Sequence, residues 1–252
     1  MDSVQRFTSR VEDYARYRPT YPPALLDLLQ TECGLTPEFR VADIGSGTGL
    51  LTQRFLQFGC TVTGVEPNAK MRAAGDAYLA AFPKFHSVEG RAESTGLPDH
   101  SVDLVTAAQA FHWFDPPQAR AEFQRILTAP GWVALIWNER REVNGLMDGY
   151  EDLVRRYGPE PRHILTQEIQ EFFGGRLKQS NLPNQQVFDI TGLKGRFLSA
   201  SYAPLPGTER YASLMEELDR LFAAHEQDGR VTLIYETEVY LGRLSPAAGP
   251  GA

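Results

Sequence analysis

A chain of 252 residues, 42% of them hydrophobic, has room for one large α/β domain or one domain with a modest cap. Its formal net charge of −7, with no long basic run, argues against an electrostatic footprint for nucleic acid. No run approaches the roughly 18 apolar residues of a membrane span, and the opening MDSVQRFTSR lacks the apolar core of a signal peptide, so a cytoplasmic protein is expected.

In chain order, residues 4–17 are predicted helical, with Tyr14 and Arg18 four apart, before Pro19, Pro22 and Pro23 break the helix. A second helix over 24–30 presents Leu25, Leu28 and Leu29 to the core. The stretch Val41-Ala42-Asp43-Ile44-Gly45-Ser46-Gly47-Thr48-Gly49 reads as a strand, a tight turn and a helix start. In that helix Leu51, Phe55 and Phe58 share one face, while Thr52, Gln53 and Gln57 point away. Residues 60–65 form a second strand ending at Glu66 and Pro67, and Asn68 caps a helix whose apolar face is Met71, Ala74, Tyr78 and Phe82. A short third strand over 85–89 leads into Gly90 to Glu93, and after a polar turn residues 102–107 form a buried fourth strand. That strand runs into the cluster Gln109-Ala110-Phe111-His112-Trp113-Phe114-Asp115. A helix over 116–127 follows, with Ala119, Phe123 and Ile126 inward, then a turn at Pro130-Gly131 and an apolar fifth strand over 132–137 ending in Asn138, Glu139, Arg140 and Arg141. Residues 144–175 exceed a simple crossover helix and suit an acceptor cap. Beyond them lie a sixth strand over 187–190, a short helix over 193–202, a clear helix over 208–225 and an alternating strand over 231–241. Residues 245–252 have the composition of a disordered end. Cys33 and Cys60 lack metal-ligand spacing and are expected to be reduced thiols in apolar surroundings.

The chemistry concentrates at the glycine stretch. Three glycines in five positions permit positive φ and close approach of a ligand to the backbone, which suits a binding loop better than a plain turn. Helix N-terminal N–H groups favour an anion, yet the spacing is G-x-G-x-G, not the G-x-G-x-x-G of dinucleotide loops. Asp43 would also repel a pyrophosphate; it suits a cationic end such as an amino-acid ammonium. Glu66, about 20 residues past the loop at a strand end, is placed to accept hydrogen bonds from both hydroxyls of a ribose. An amino-acid end beside Asp43 and a ribose at Glu66 describe S-adenosylmethionine.

With these residues the sequence resembles the class I S-adenosylmethionine-dependent methyltransferases of the small-molecule, type 11 sort. The resemblance spans nearly the whole chain, strongest over 40–137 and weakest over 142–183. It implies a Rossmann-like α/β fold: a seven-stranded, mostly parallel sheet with the last strand antiparallel, helices on both faces and a small acceptor-side cap. A single domain is expected over 1–244, with an N-terminal helical lid at 1–35, a cap insertion at 142–183 and a tail at 245–252.

The expected cofactor contacts are Asp43, Gly45, Ser46, Gly47, Gly49, Glu66, Pro67 and Gln109. Met71 is a candidate for the ribose or adenine, with core packing as its alternative. By the resemblance, Ala92 and Glu93 read the adenine edge, and Tyr14 or Arg18, from a segment folding over the cofactor, meets the methionine carboxylate. His112-Trp113 is similar to trans-aconitate-methyltransferase-like proteins, and the Asn/Asp-Pro-Pro-Tyr/Phe motif of enzymes that methylate DNA base amines is missing there. His112 is a candidate general base or donor to an acceptor carboxylate, with plain packing as its alternative. Trp113 is expected in the apolar wall of the site, and Arg140 and Arg141 are candidate cations for an acidic acceptor. The expected reaction is methyl transfer to a small molecule, with O-methylation of a carboxylate preferred and phenol, amine and carbon acceptors open. No metal, nucleic-acid or membrane partner is expected. The competing readings are a non-catalytic S-adenosylmethionine- or nucleotide-binding regulator and, disfavoured by the loop spacing and Asp43, an NAD-dependent oxidoreductase.

Overall fold

Strand and helix alternate from Arg40 onward, and the strands assemble into one seven-stranded sheet. The computed structural model describes residues 16–141, 143–158, 166–200 and 202–244. Tyr14, most of the helix expected over 4–17, and the tail over 245–252 lie outside the described residues.

The elements are α1 (Ala24–Cys33), β1 (Arg40–Ile44), α2 (Leu50–Phe58), β2 (Thr61–Val65), α3 (Ala69–Leu79), β3 (Phe85–Val88), β4 (Val102–Ala108), a 3-10 turn (Phe111–Trp113), α4 (Pro116–Ile126) and β5 (Leu127–Arg140). There follow α5 (Gly145–Tyr157), α6 (Thr166–Phe173), β6 (Leu177–Phe188), α7 (Ile190–Leu198), α8 (Glu209–His225) and β7 (Val231–Gly242). The strand order is β3-β2-β1-β4-β5-β7-β6, and β7 alone runs against the others. The expected fold class is therefore the observed one.

Period-two alternation sends successive strand residues to opposite faces and divides the core in two. Ala42, Ile44, Val105, Ala107, Leu135 and Trp137 face α4 and α6, through Phe123, Ile126, Phe172 and Phe173. Val41, Leu104, Ala134 and Ile136 face α1 and α2, through Leu25, Leu29, Leu51 and Phe55. Both cysteines lie on this second side, where burial pushes each thiol up to about 11.

Beyond Arg140, the last pair of β5 with β7, the strands β6 and β7 continue alone as a two-stranded ribbon from Gln185↔Ile234 to Phe188↔Val231. Against that ribbon α5, α7 and α8 build a third cluster from Tyr150, Leu153, Phe197, Leu214, Leu218 and Leu233. It stands past the carboxyl ends of the parallel strands, where ligands bind in open α/β sheets. Of the segment 142–183, expected as the cap, α5 joins this cluster; α6 packs in the first core, and β6 forms the sheet edge.

Four local expectations are corrected. The sixth strand is far longer than 187–190, because β6 pairs with β7 alone and its residues alternate between half-buried and exposed, leaving little apolar signal. Pro130-Gly131 is a bulge within β5 rather than a turn before it, since Leu127 pairs with Val102 and Trp132 with Leu104. In α3 the buried stripe is Met71, Gly75 and Leu79; Tyr78 is 42% exposed and donates to Gln53. Glycine at 75 sets that stripe, since a Cβ there would stand 3.2 Å from the Gly47 carbonyl oxygen. Thr52, expected to face away, is fully buried, for a reason that belongs to the site.

Candidate functional site

The strand order reverses between β1 and β4, and the carboxyl ends of β1, β2, β4 and β5 open there onto a cleft with two lobes. The lobes span about 730 and 790 Å³, their open mouths included, and share Gly45, Ala108 and Gln109 at their waist.

Asp43 lies one residue before the end of β1, on the side of Val41, so it faces α2. Thr52 of α2 donates to its Oδ2 at 2.6 Å, and Thr106, its register partner on β4, donates to Oδ1 at 2.9 Å. Burial dominates over these bonds and pushes the Asp43 carboxyl up to about 6. The apolar-looking helix α2 therefore carries a polar residue inward to serve this acid.

The loop after β1 turns on Gly45, Gly47 and Gly49, with φ of 70°, 58° and 86°. A Cβ on Gly45 would lie 2.7 Å from the Ala110 Cβ, so glycine is needed both for the backbone sign and for the approach to the turn after β4. Gly45 donates its N–H to the Val65 carbonyl, which brings Glu66, the next residue along, beside the loop. Glu66 accepts from the N–H groups of Gly47 (2.9 Å) and Asn68 (2.8 Å), one on each carboxylate oxygen. Each oxygen keeps a lone pair for a further donor. Burial raises the Glu66 pKa, against the pull of those two bonds.

The first lobe is lined by Arg18, Asp43, Gly45, Ser46, Thr48 and, opposite them in sequence, Asn138, Glu139, Arg140 and Arg196. The second is lined by Gly47, Glu66, Pro67, Met71, Ala92, Glu93 and Trp113. Gln109 belongs to both; its φ of 55° is left-handed, and its Nε2 donates to the Asn138 carbonyl at 3.2 Å. Gly49 lies under the loop instead, where a Cβ would meet the Leu79 side chain at 2.6 Å.

Residues 17–21 cross the first lobe as a strap held by amides. Asn184 donates to the Thr20 carbonyl (2.8 Å), Gln186 to that of Tyr17 (3.3 Å) and Asn138 to that of Thr20 (3.4 Å). Arg18 donates to the Ser199 carbonyl just past α7, and Tyr17 packs on Gly195 so closely that a Cβ there would fall 2.3 Å from the ring.

The other expected residues lie as follows. Glu93 lines the second lobe and accepts from the Asp115 N–H at 2.8 Å, ahead of α4. Trp113, 43% exposed, belongs to the Glu66 lobe rather than to the lobe with the arginines. His112 lines neither lobe: the 3-10 turn sets its ring 4.8 Å from that of Trp113. Arg141 also lies off the cleft, paired with Glu236 and Glu238 of β7. Arg140 lines the first lobe and is neutralised by Glu151 of α5.

Asn138 and Arg196 are among the lining residues that escaped the sequence reading. Asn138 reads as a solvated strand end, yet it is buried and bridges the strap to Thr237 and Asn184. Arg196 had a legible signal: it stands three residues after Leu193 and one before Phe197, inside an apolar stripe.

The cleft fits the expected cofactor on its own terms. The Thr48 hydroxyl oxygen is buried in the lobe wall with no hydrogen-bond partner among the described residues, which in a native protein calls for a ligand or water. The glycine loop leaves the backbone open to close approach, and the carboxylates of Asp43 and Glu66 stand on either side of it. Among the described residues no cluster of three metal-ligating side chains occurs, and no helix is long and apolar enough to cross a membrane.

Residues 42–135 match the methyltransferase domain of the type 11 family. The chain is 39% identical over 165 residues to an uncharacterized methyltransferase of Mycobacterium tuberculosis, an alignment covering 66% of this chain and 65% of that protein. It is 27% identical to an uncharacterized methyltransferase of Schizosaccharomyces pombe over 95% of this chain and 97% of the relative. Among solved structures, a proposed type II methyltransferase from Anaeromyxobacter dehalogenans superposes with a TM-score of 0.68 at 22% identity, over 91% of this chain and 99% of that one. Sequence relatives, domain match and sheet order agree: residues 42–135 carry a methyltransferase domain, the chain spans 65% of the Mycobacterium relative it matches, and its fold is that of the class I S-adenosylmethionine-dependent methyltransferases.

Proposed function

We propose that the protein transfers a methyl group from S-adenosylmethionine to the oxygen of a small carboxylate acceptor. The observation that carries this reading is the division of charge along the cleft. The lobe of Glu66 has the acceptors a ribose requires, and the far wall of the first lobe carries guanidinium groups. The bound cofactor would supply a methyl group already activated on a sulfonium. Glu66 would orient the ribose hydroxyls, Met71 and Trp113 would flank the base, and Ala92 and Glu93 would face its edge. Asp43 and the Thr48 hydroxyl would hold the amino-acid end, with Arg18 on its carboxylate. The strap over 17–21 lines the same lobe as Gly45 and Gln109 and would screen from water the waist where donor and acceptor would meet.

Opposite charges disappear when a carboxylate is methylated, so alignment and a dry site supply the rate and no general base is required. This agrees with the position of His112 outside the lining, and it removes the base role from the proposal. The helices α5, α7 and α8 act as the cap over the acceptor.

The test is incubation of the protein with methyl-labelled cofactor and a panel of small organic acids, preceded by calorimetric titration with S-adenosylhomocysteine. Binding of S-adenosylhomocysteine and a label released as methanol by mild alkali are expected, because only an ester is cleaved that way. A base-stable product would move the reaction to nitrogen or carbon. Failure to bind S-adenosylhomocysteine would overturn the cofactor assignment.

A further inference from the structure

We infer that Arg196 is the anchor for an anionic group of the acceptor that is not itself methylated, so that the substrate carries a carboxylate or phosphate besides the reacting atom. This rests on the methyltransferase reading of the cleft. Arg196 projects from α7 into the wall of the first lobe and is only 2% exposed. A buried guanidinium is ordinarily paired with an acid. This one has none among the described residues: its Nε donates to the Tyr235 hydroxyl at 3.0 Å, and its guanidinium lies 5.8 Å from the centre of that ring. Its two terminal amino groups have no hydrogen-bond partner among the described residues.

The neighbouring cation makes the contrast. Arg140, on the same wall, is satisfied by Glu151 and also stacks over Tyr150. Tyr235 fixes Arg196 through one nitrogen, leaving the edge of the fork that matches an oxyanion in a two-point contact. A planar fork held by an aromatic hydroxyl and left without an acid is arranged for a partner that arrives from outside.

That partner is a spectator group. A carboxylate held by two charge-assisted bonds has its negative charge drawn toward the guanidinium and is a poorer nucleophile, and methylating it would strand the guanidinium buried and uncompensated. Arg196 therefore positions the acceptor by a second anion and leaves the reacting oxygen free at the waist.

The experiment is calorimetric titration of the full chain, with and without saturating S-adenosylhomocysteine, using glutarate and glycerol 3-phosphate as probes and glutaramide and glycerol as uncharged controls. At least one anion is expected to bind and its uncharged counterpart is not; the two arms decide between carboxylate and phosphate. In Arg196→Gln the anion affinity is expected to fall by about tenfold or more while that for S-adenosylhomocysteine stays within about twofold. Arg196→Lys should recover part of the loss. The anion should raise the Tm of the parent protein and leave that of Arg196→Gln unmoved, a readout that a purely structural arginine would not give. Should Arg196→Gln fail to fold, Tyr235→Phe carries the test, with weakened anion binding and retained S-adenosylhomocysteine binding expected. Anion affinity indifferent to Arg196, or no anion binding by the parent protein, would overturn the proposal. An equal loss of S-adenosylhomocysteine affinity would do so too, by assigning Arg196 to the cofactor carboxylate. Absence of S-adenosylhomocysteine binding in the parent protein would sink the cofactor reading instead, and the titration without it still judges Arg196.

Discussion

Asp43 is an acid held out of water by its own neighbours. Its folded pKa of about 6 lies above the ordinary value of 3.8, so the folded state binds a proton more tightly than the unfolded chain does. The sign follows: this group weakens the fold at neutral pH, and the penalty, up to ~3 kcal/mol for a shift of that size, is relieved as pH falls through about 6 toward 4. A cationic ligand needs the ionised form and so loses affinity over the same window. Calorimetry from pH 8 to about 5 is expected to show S-adenosylhomocysteine binding weaken below about pH 6, with a weaker but flatter profile in Asp43→Asn. Without ligand, Asp43→Asn should melt no lower than the parent protein at about pH 8, because the amide keeps hydrogen bonds to both threonines without a charge to bury. Equal pH profiles for the two proteins would remove Asp43 from ligand binding. The acid was legible in the sequence from its place ahead of the glycines. Thr52 was not, because helical periodicity assigns a threonine between apolar positions to solvent unless the acid beneath it is known.

At the scale of elements, the strap and the strands under it were unequally legible. The glycine loop, β1, β2, β4 and α2 announced themselves through apolar runs and turn residues. β6 did not, since an edge strand with one partner carries only a half-buried face, and its role as a clamp depends on Asn184 and Gln186, two polar side chains ahead of the strand expected over 187–190. Asn184→Ala removes the shortest of the strap's amide bonds, at 2.8 Å, and should cost about 1 kcal/mol locally. Trypsin cleavage after Arg16 is expected to quicken several-fold, and S-adenosylhomocysteine affinity to fall by roughly fivefold. Unchanged cleavage would mean that the strap is held by packing of Tyr17 on Gly195 instead.

For the whole molecule, residues 42–135, most of the parallel sheet, carry the methyltransferase domain match, and the ribbon of β6 and β7 lies beyond it. It carries the end of the sheet past the cleft and gives α5, α7 and α8 a floor of their own. This part was the least legible, because its helices follow ordinary apolar periodicity and nothing in that pattern says which surface they cover. The strap has a kinetic consequence. It lies across the lobe where the proposed function puts the methionine end of the donor beside the acceptor, so traffic through the waist would run in single file. On that reading the cofactor would be seated before the acceptor closes over it, and the methylated product would leave before the spent cofactor. Initial-rate kinetics should accordingly give inhibition by S-adenosylhomocysteine that is competitive with S-adenosylmethionine and noncompetitive with the acceptor; a random-order pattern would show that the strap is no barrier. A strap that must open for each departure would make the amides of Asn138, Asn184 and Gln186 a control on turnover.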